Sequence, residues 1–324
     1  MLGYHRVADA AHDPWGQVVS PAHFAQQMAH LARHHTPVTL SQLADATARG
    51  VRIPRAVAVT FDDGYRDNVD TALPILREAG VPATFFIIAG SIGSPDPVWS
   101  DELMALLSDR WTAPRLRLVI DGHEHVWDLP VTGGTSAPPG WVVAQPPPTP
   151  RHALYLRLWR MLNSRPDDVQ RDVIRQFRAQ APVTADAELI LDEARLTRLA
   201  SHEGVEIGSH TLTHPNLPTI PAPMRARELR TSRDRLRELT GQPVDSFAYP
   251  YGAHDAACRR QVAEAGYTWA VTTEMGAVRP GTPPLAIPRL AVANWDGHRF
   301  AAWLSPLRTD ARPARSARQL LGRS

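Results

Sequence analysis

The chain contains no lysine, and all 35 of its Lys+Arg residues are arginine. A Schiff-base mechanism, a lysine-anchored pyridoxal phosphate and a phosphate loop of the usual G-K-[ST] type are therefore excluded. Cysteine is almost as scarce. The single Cys258 can form no intrachain disulfide and no cysteine-rich zinc or iron–sulfur site, so any metal must be held by histidine and carboxylate. Within A-A-C-R-R-Q-V-A-E-A-G, a helical pattern, it reads as a small packed residue rather than a nucleophile. No apolar run approaches the roughly 18 residues of a membrane span, and no basic leader with an apolar stretch opens the sequence. The expectation is a cytoplasmic protein without stable membrane insertion. A formal net charge of only +2 supplies no basic field for nucleic acid.

What is present is an ordinary globular composition, 43% hydrophobic and 21% charged over 324 residues. The apolar run Ala56 to Phe61 between Pro54 and Gly64 reads as a buried parallel strand. A helix over 66–79, kinked at Pro74 and ended by Gly80, leads to a second buried strand, V-P-A-T-F-F-I-I-A-G. This strand–helix–strand rhythm predicts an α/β fold. It pauses at about 110–185, where a hairpin turning at Asp121-Gly122, a Gly/Pro-rich loop over 131–150 and helices near 151–163 and 167–180 read as an insertion. The rhythm then resumes through strands at V-E-I-G-S, D-S-F-A-Y, Y-T-W-A-V-T-T and L-A-I-P-R-L-A-V. One main domain over 1–304 is expected, followed by a mobile tail, 305–324, with five arginines and no aromatic residue.

Two carboxylates, Asp62 and Asp63, end the first of these strands, where β/α folds place their sites. Adjacent acids there need a compensating cation, or else serve as a turn that caps the next helix. His210 and His214 follow another strand, V-E-I-G-S. Their spacing of four is expected to bring both imidazoles to one face of a helical turn. Two histidines and one carboxylate leave coordination positions open, as a catalytic metal site requires.

T-F-D-D-G-Y at 60–65, H-T-L-T-H-P at 210–215 and Y-P-Y-G at 249–252 resemble the first three motifs of the polysaccharide deacetylases, the NodB-homology or carbohydrate esterase family 4 enzymes. Their order agrees, and the resemblance extends over roughly residues 1–300, including Y-H-R-V and V-P-A-T-F-F. It implies a distorted (β/α) barrel of about seven parallel strands. It implies, too, a hydrolase that removes N-acetyl groups from N-acetylated amino sugars by metal-activated water, so the partner is a carbohydrate substrate. In that scheme Asp62 is the base, and Asp63, His210 and His214 hold a divalent ion: Zn²⁺, with Co²⁺ or Ni²⁺ as alternatives. The backbone N–H of Tyr251 stabilises the oxyanion. An O-acetyl esterase, a non-sugar amidase or a catalytically weakened carbohydrate-binding protein on the same fold are the alternatives.

Two departures stand out. The family's arginine that tethers the catalytic aspartate is replaced by Ala248, and Arg289, in I-P-R-L, is the candidate to orient Asp62 through a two-pronged hydrogen bond; the alternative is a surface ion pair. The family's histidine general acid is absent from its usual motif. Among His5, His254 and His298, His5 ranks first because it ends the opening strand. Tyr65, Trp99 and Trp295 are candidate sugar platforms, with Tyr65 the one placed at the site.

Overall fold

A computed structural model describes residues 1–10, 12–94, 98–107, 113–129, 140–180 and 189–305. Seven parallel strands carry the architecture: β1 (Leu2–Tyr4), β2 (Val59–Phe61), β3 (Ala83–Ile87), β4 (Val205–Ser209), β5 (Ser246–Ala248), β6 (Trp269–Val271) and β7 (Leu290–Ala291). Their spatial order is β6-β5-β4-β3-β2-β1-β7. The segment carrying β7 joins both edges. Leu290 N–H donates to Met1 O and Val292 N–H to Gly3 O. On the other edge, Ile287 N–H donates to Ala270 O and Thr272 N–H donates to Ile287 O. The sheet is thereby drawn into the distorted barrel that the family resemblance implied.

Alternation along the strands sorts side chains between two layers. Tyr4, Phe61 and Phe85 stand side by side in register on β1, β2 and β3. Their rings stack at 5.5 and 4.9 Å, and Phe24 of the helix Pro21–His34 meets Tyr4 edge-on at 5.3 Å. This face therefore points outward to the helices, and each buried ring contributes about 1.5–3 kcal/mol. Ala58, Phe86, Ala248, Val271 and Ile287 form a separate cluster with Met1, and Arg289 is buried against the Phe86 ring.

Three expectations change. The helix after the first motif begins with a wide turn, Asn68–Ala72, in which Leu73 N–H reaches Asn68 O, before Leu73–Ala79 continues. The cause is Pro74, which lacks an N–H and whose ring would strike the carbonyl four residues back, so the distortion falls upstream of the proline. Residues 210–214 form a loop rather than a helical turn, with Thr211 and His214 in the left-handed region (φ 68° and 63°). A further helix, Gly297–Leu304, capped by Asp296, follows the last strand and was not anticipated.

The hairpin Arg115–Ile120 with His123–Asp128 turns at Asp121 and Gly122, both with positive φ, as the two-residue loop requires. Leu116, Leu118 and Ile120 on its inner face pack with Tyr155, Leu158 and Trp159 of the helix Pro150–Leu162 and with Val173 and Phe177 of the helix Asp167–Gln180, in a core separate from that of the barrel. Of the expected loop, residues 131–139 lie outside the described residues, as do residues 306–324 of the tail. No helix among the described residues is long and apolar enough to cross a membrane.

Candidate active site

The residues singled out in the sequence meet at the carboxyl ends of the strands. Asp62 and Asp63 follow β2, His5 follows β1, His210 follows β4, and Tyr251 follows β5. Asp63 adopts φ 74°, which turns it away from its neighbour's path. Its Oδ1 lies 3.3 Å from His210 Nε2 and 3.5 Å from His214 Nε2, and the two imidazole nitrogens are 3.2 Å apart. All three residues are buried.

This donor set fits a metal ion. His210 Nδ1 lies 2.8 Å from Ala248 O. A carbonyl can only accept, so Nδ1 carries the proton and Nε2 presents its lone pair inward. Ligand bonds of about 2.0–2.2 Å in a tetrahedral sphere place donor atoms about 3.3–3.6 Å apart, close to the observed triangle. Burial alone would raise the Asp63 carboxyl, but the surrounding imidazoles of His210, His214 and His5 hold it well below the usual carboxylate range. Histidine and carboxylate donors suit Zn²⁺ and its neighbours more than Mg²⁺.

Asp62 is held as expected, by Arg289. The guanidinium meets it with two parallel hydrogen bonds, each 2.7 Å, while Nε donates to Thr272 O at 3.0 Å and Nη1 to Thr60 Oγ1 at 3.1 Å. From the segment that closes the barrel, the side chain passes Gly3 of β1 to reach the end of β2. A barrel-closing arginine thus occupies the tethering role vacated at Ala248. Burial would raise the Asp62 carboxyl; the charge and hydrogen bonds of Arg289, with His210 and His5 adding, bring it down to about 2. His5 Nε2 stands 3.8 Å from Asp62 Oδ2, and Asn68 Nδ2 fixes the His5 carbonyl at 2.8 Å. The other candidate acids are elsewhere: His254 stacks on Tyr249, and His298 lies on the helix Gly297–Leu304.

The aromatic candidates fare unevenly. Tyr65 lines the cavity over Asp63 and His214, yet it is 6% exposed, its hydroxyl points to Asp101 and the Arg6 guanidinium covers its ring at 5.0 Å. It offers no open stacking face. Trp99 is buried in the second core, and Trp295 packs on Trp303. The cavity wall is instead made by Trp15 and Trp159, 4.5 Å apart, with Tyr251 edge-on to Trp159 at 5.9 Å and to His214 at 4.6 Å. Sequence alone gave Trp15 no context, because its partners lie more than a hundred residues away. Asp101, facing Tyr65, was equally silent; burial and then the charge of Asp63 push its carboxyl up to about 7.

The loop carrying His214 is held by backbone. Ala89 N–H donates to Thr211 O and Gly90 N–H to Leu212 O, while Glu228 accepts from the N–H groups of Leu212 and Thr213, each at 2.9 Å. A Cβ at Gly90 would collide with the Leu212 carbonyl oxygen. Gly90→Ala is therefore expected to destabilise the fold by about 1–3 kcal/mol and to weaken Zn²⁺ binding by displacing His214. Urea denaturation and a zinc titration measure the two effects, and unchanged zinc affinity would show that the glycine does not set the loop.

A family model described as polysaccharide deacetylase matches residues 49–113 and 171–270, about half of the chain and including Asp62, Asp63, His210, His214 and Tyr251. YxkH of Bacillus subtilis, placed by name with the polysaccharide deacetylases, is 21% identical over 255 residues, 78% of this chain and 58% of that protein. The poly-beta-1,6-N-acetyl-D-glucosamine N-deacetylase of Escherichia coli is 30% identical over 96 residues, 29% of this chain and 14% of that protein. The chain thus spans less than two thirds of either relative. Among solved structures, IcaB from Ammonifex degensii superposes with TM-score 0.58 at 19% identity, covering 93% of this chain and 94% of that one. A polysaccharide deacetylase from Bacillus cereus gives 0.57 at 20%, covering 93% and 67%. At these identities the likeness is one of fold.

Proposed function

This chain belongs to the polysaccharide deacetylase family, and from that premise we propose that it is a metal-dependent hydrolase removing N-acetyl groups from N-acetylated amino sugars in a saccharide. The observation that carries the reading is the convergence of Asp63, His210 and His214 beside a carboxylate, Asp62, held by Arg289. A structural ion pair would not require three further donors a few ångströms away.

Asp63, His210 and His214 would hold the ion, Zn²⁺ first among the candidates. When bound, the ion supplies a Lewis acid that acidifies water and polarises the acetyl carbonyl. Asp62, ionised at neutral pH, accepts the proton of the attacking water. Arg289 keeps both carboxylate oxygens in place, so the base needs no reorganisation as the proton arrives. The backbone N–H of Tyr251 donates to the oxygen that becomes negative. His5, whose Nε2 stands 3.8 Å from Asp62 Oδ2, protonates the departing amine.

The test is release of acetate from N-acetylglucosamine oligosaccharides and from O-acetylated xylan by the zinc-loaded protein. Acetate is expected from the first, with loss on chelation and recovery on adding Zn²⁺. Release from neither, or release indifferent to the chelator, overturns the reading; preference for the xylan changes the bond from amide to ester.

A further inference from the structure

The cavity over Asp63 and His214 is also lined by Asp101, a carboxylate that belongs neither to the candidate metal triad nor to the Asp62–Arg289 pair. Its volume is about 40 Å³. One water needs about 10–15 Å³ of such space, so the cavity admits the edge of a sugar, a hydroxyl or a hydroxymethyl arm, rather than a whole ring. Trp15, Trp159 and Tyr251 supply an aromatic part of its lining. These rings limit the water that enters, and a hydrogen bond made there is stronger than one in open solvent.

Asp101 is partly buried and loosely held. The Tyr65 hydroxyl stands 3.3 Å from each of its two oxygens, beyond the roughly 2.7–2.8 Å usual between hydroxyl and carboxylate. That hydroxyl has one proton to give, and it is the only hydrogen-bond donor to the Asp101 side chain among the described residues. Arg6, also in the lining, donates to Asp67 at 2.9 Å and covers the Tyr65 ring, which fixes the tyrosine and through it the carboxylate. A carboxylate offers about four acceptor sites, and a protonated carboxyl still keeps some of them. Most of the capacity of Asp101 is therefore left for a group that enters the cavity. A half-buried acceptor met by one long hydrogen bond costs free energy, and that cost is recovered when a ligand brings the missing donor.

We propose that Asp101 is a specificity-determining residue that accepts a hydrogen bond from a hydroxyl of the sugar unit whose acetamide is presented to Asp63, His210 and His214. The inference rests on the reading of that centre as a deacetylase. It narrows the substrate to an amino sugar with this hydroxyl free. A unit acylated or glycosidically linked at that oxygen has no proton to donate and is rejected, as happens where a site is built to hydrogen-bond a substrate hydroxyl.

NMR titration of the zinc-loaded full chain with methyl N-acetyl-β-glucosaminide and with its 3-, 4- and 6-deoxy analogues tests this. The acetyl methyl resonance reports binding, and free acetate, if released, gives a separate signal. At least one deoxy analogue is expected to bind roughly tenfold more weakly than the parent sugar, and the position that discriminates identifies the hydroxyl. Asp101→Ala should bring that ratio to near one by weakening the parent alone. Asp101→Asn, which keeps the size of the side chain and one acceptor oxygen, should give an intermediate ratio and guards against a folding defect in the alanine variant. A residue that merely shaped the cavity would lower affinity for all four sugars alike and leave the ratio in place. Equal binding of the four by the wild type, no binding of any of them, or a ratio that survives both Asp101 variants overturns the proposal. A ratio that depends on Asp101 in a protein releasing no acetate would sustain the contact while sinking the deacetylase reading; acetate release without discrimination would do the reverse.

Discussion

Asp62→Asn is expected to lower kcat for acetate release by about 10²–10⁴-fold, the usual contribution of a positioned general base, while the ion stays bound. Asparagine keeps the size of the side chain but cannot take up the proton. It also presents an amide NH₂ to a guanidinium that can only donate, so one of the two 2.7 Å bonds is lost. Arg289 is then buried without its counter-charge, and breaking such a pair costs about 3–5 kcal/mol. The carboxyl lowered from 3.8 to about 2 makes part of this cost depend on pH. Its stabilisation is fully present above about pH 4 and is lost as pH falls through about 2, because protonation then erases the charge that Arg289 binds. The stability gap between wild type and Asp62→Asn should therefore narrow by roughly 2 kcal/mol on acidification. Denaturant curves at pH 7 and below pH 3, with zinc content and acetate release at neutral pH, measure each part. Wild-type turnover by the variant would remove Asp62 from the role of base.

The parts of this centre that were legible in the sequence are those written in short segments. T-F-D-D-G-Y places two acids at a strand end because the apolar run before it can only be a buried strand, and Asp121-Gly122 specifies its hairpin through two positive φ values. Arg289 was legible for another reason: the vacancy at Ala248 left a buried aspartate needing a partner, and an arginine beside the last strand could supply it. Contacts made by chain closure left no local trace. Trp15 reaches Tyr155 and Trp159 across the fold, and Gly90 matters only because the Leu212 carbonyl rests against it. The spacing of His210 and His214 was informative about their meeting but not about how they meet. Helical geometry offers one way to align residues four apart; a loop with two left-handed residues, clamped by Glu228 and by the backbone of Ala89 and Gly90, offers another. Pattern alone does not distinguish the two, since the energy that selects the loop comes from groups far away in sequence.

Because the ion would be held by only three side chains, His210→Ala and His214→Ala should each reduce bound zinc from near one equivalent to none detectable by native mass spectrometry, and abolish metal-dependent acetate release. The two variants should differ in the metal-free state. His210 lies 2.8 Å from the Ala248 carbonyl, tying the ends of β4 and β5 together, so its removal leaves a buried acceptor unsatisfied at about 1–3 kcal/mol. His214 sits on the loop and contacts Tyr251 through its ring, so its loss costs chiefly packing. Added zinc separates ligation from folding. At a hundredfold excess over Kd a ligand stabilises the protein that binds it by about 2.7 kcal/mol, and this increment should vanish in both variants whatever their starting stability. Co²⁺ and Ni²⁺ should stabilise the wild type as well, since imidazole donors accept them, whereas Mg²⁺, which prefers an all-oxygen octahedral shell, should not. Full zinc occupancy in both histidine variants would refute the ligand set. A stabilisation by Mg²⁺ equal to that by Zn²⁺ would mean that the imidazoles are not what the ion meets.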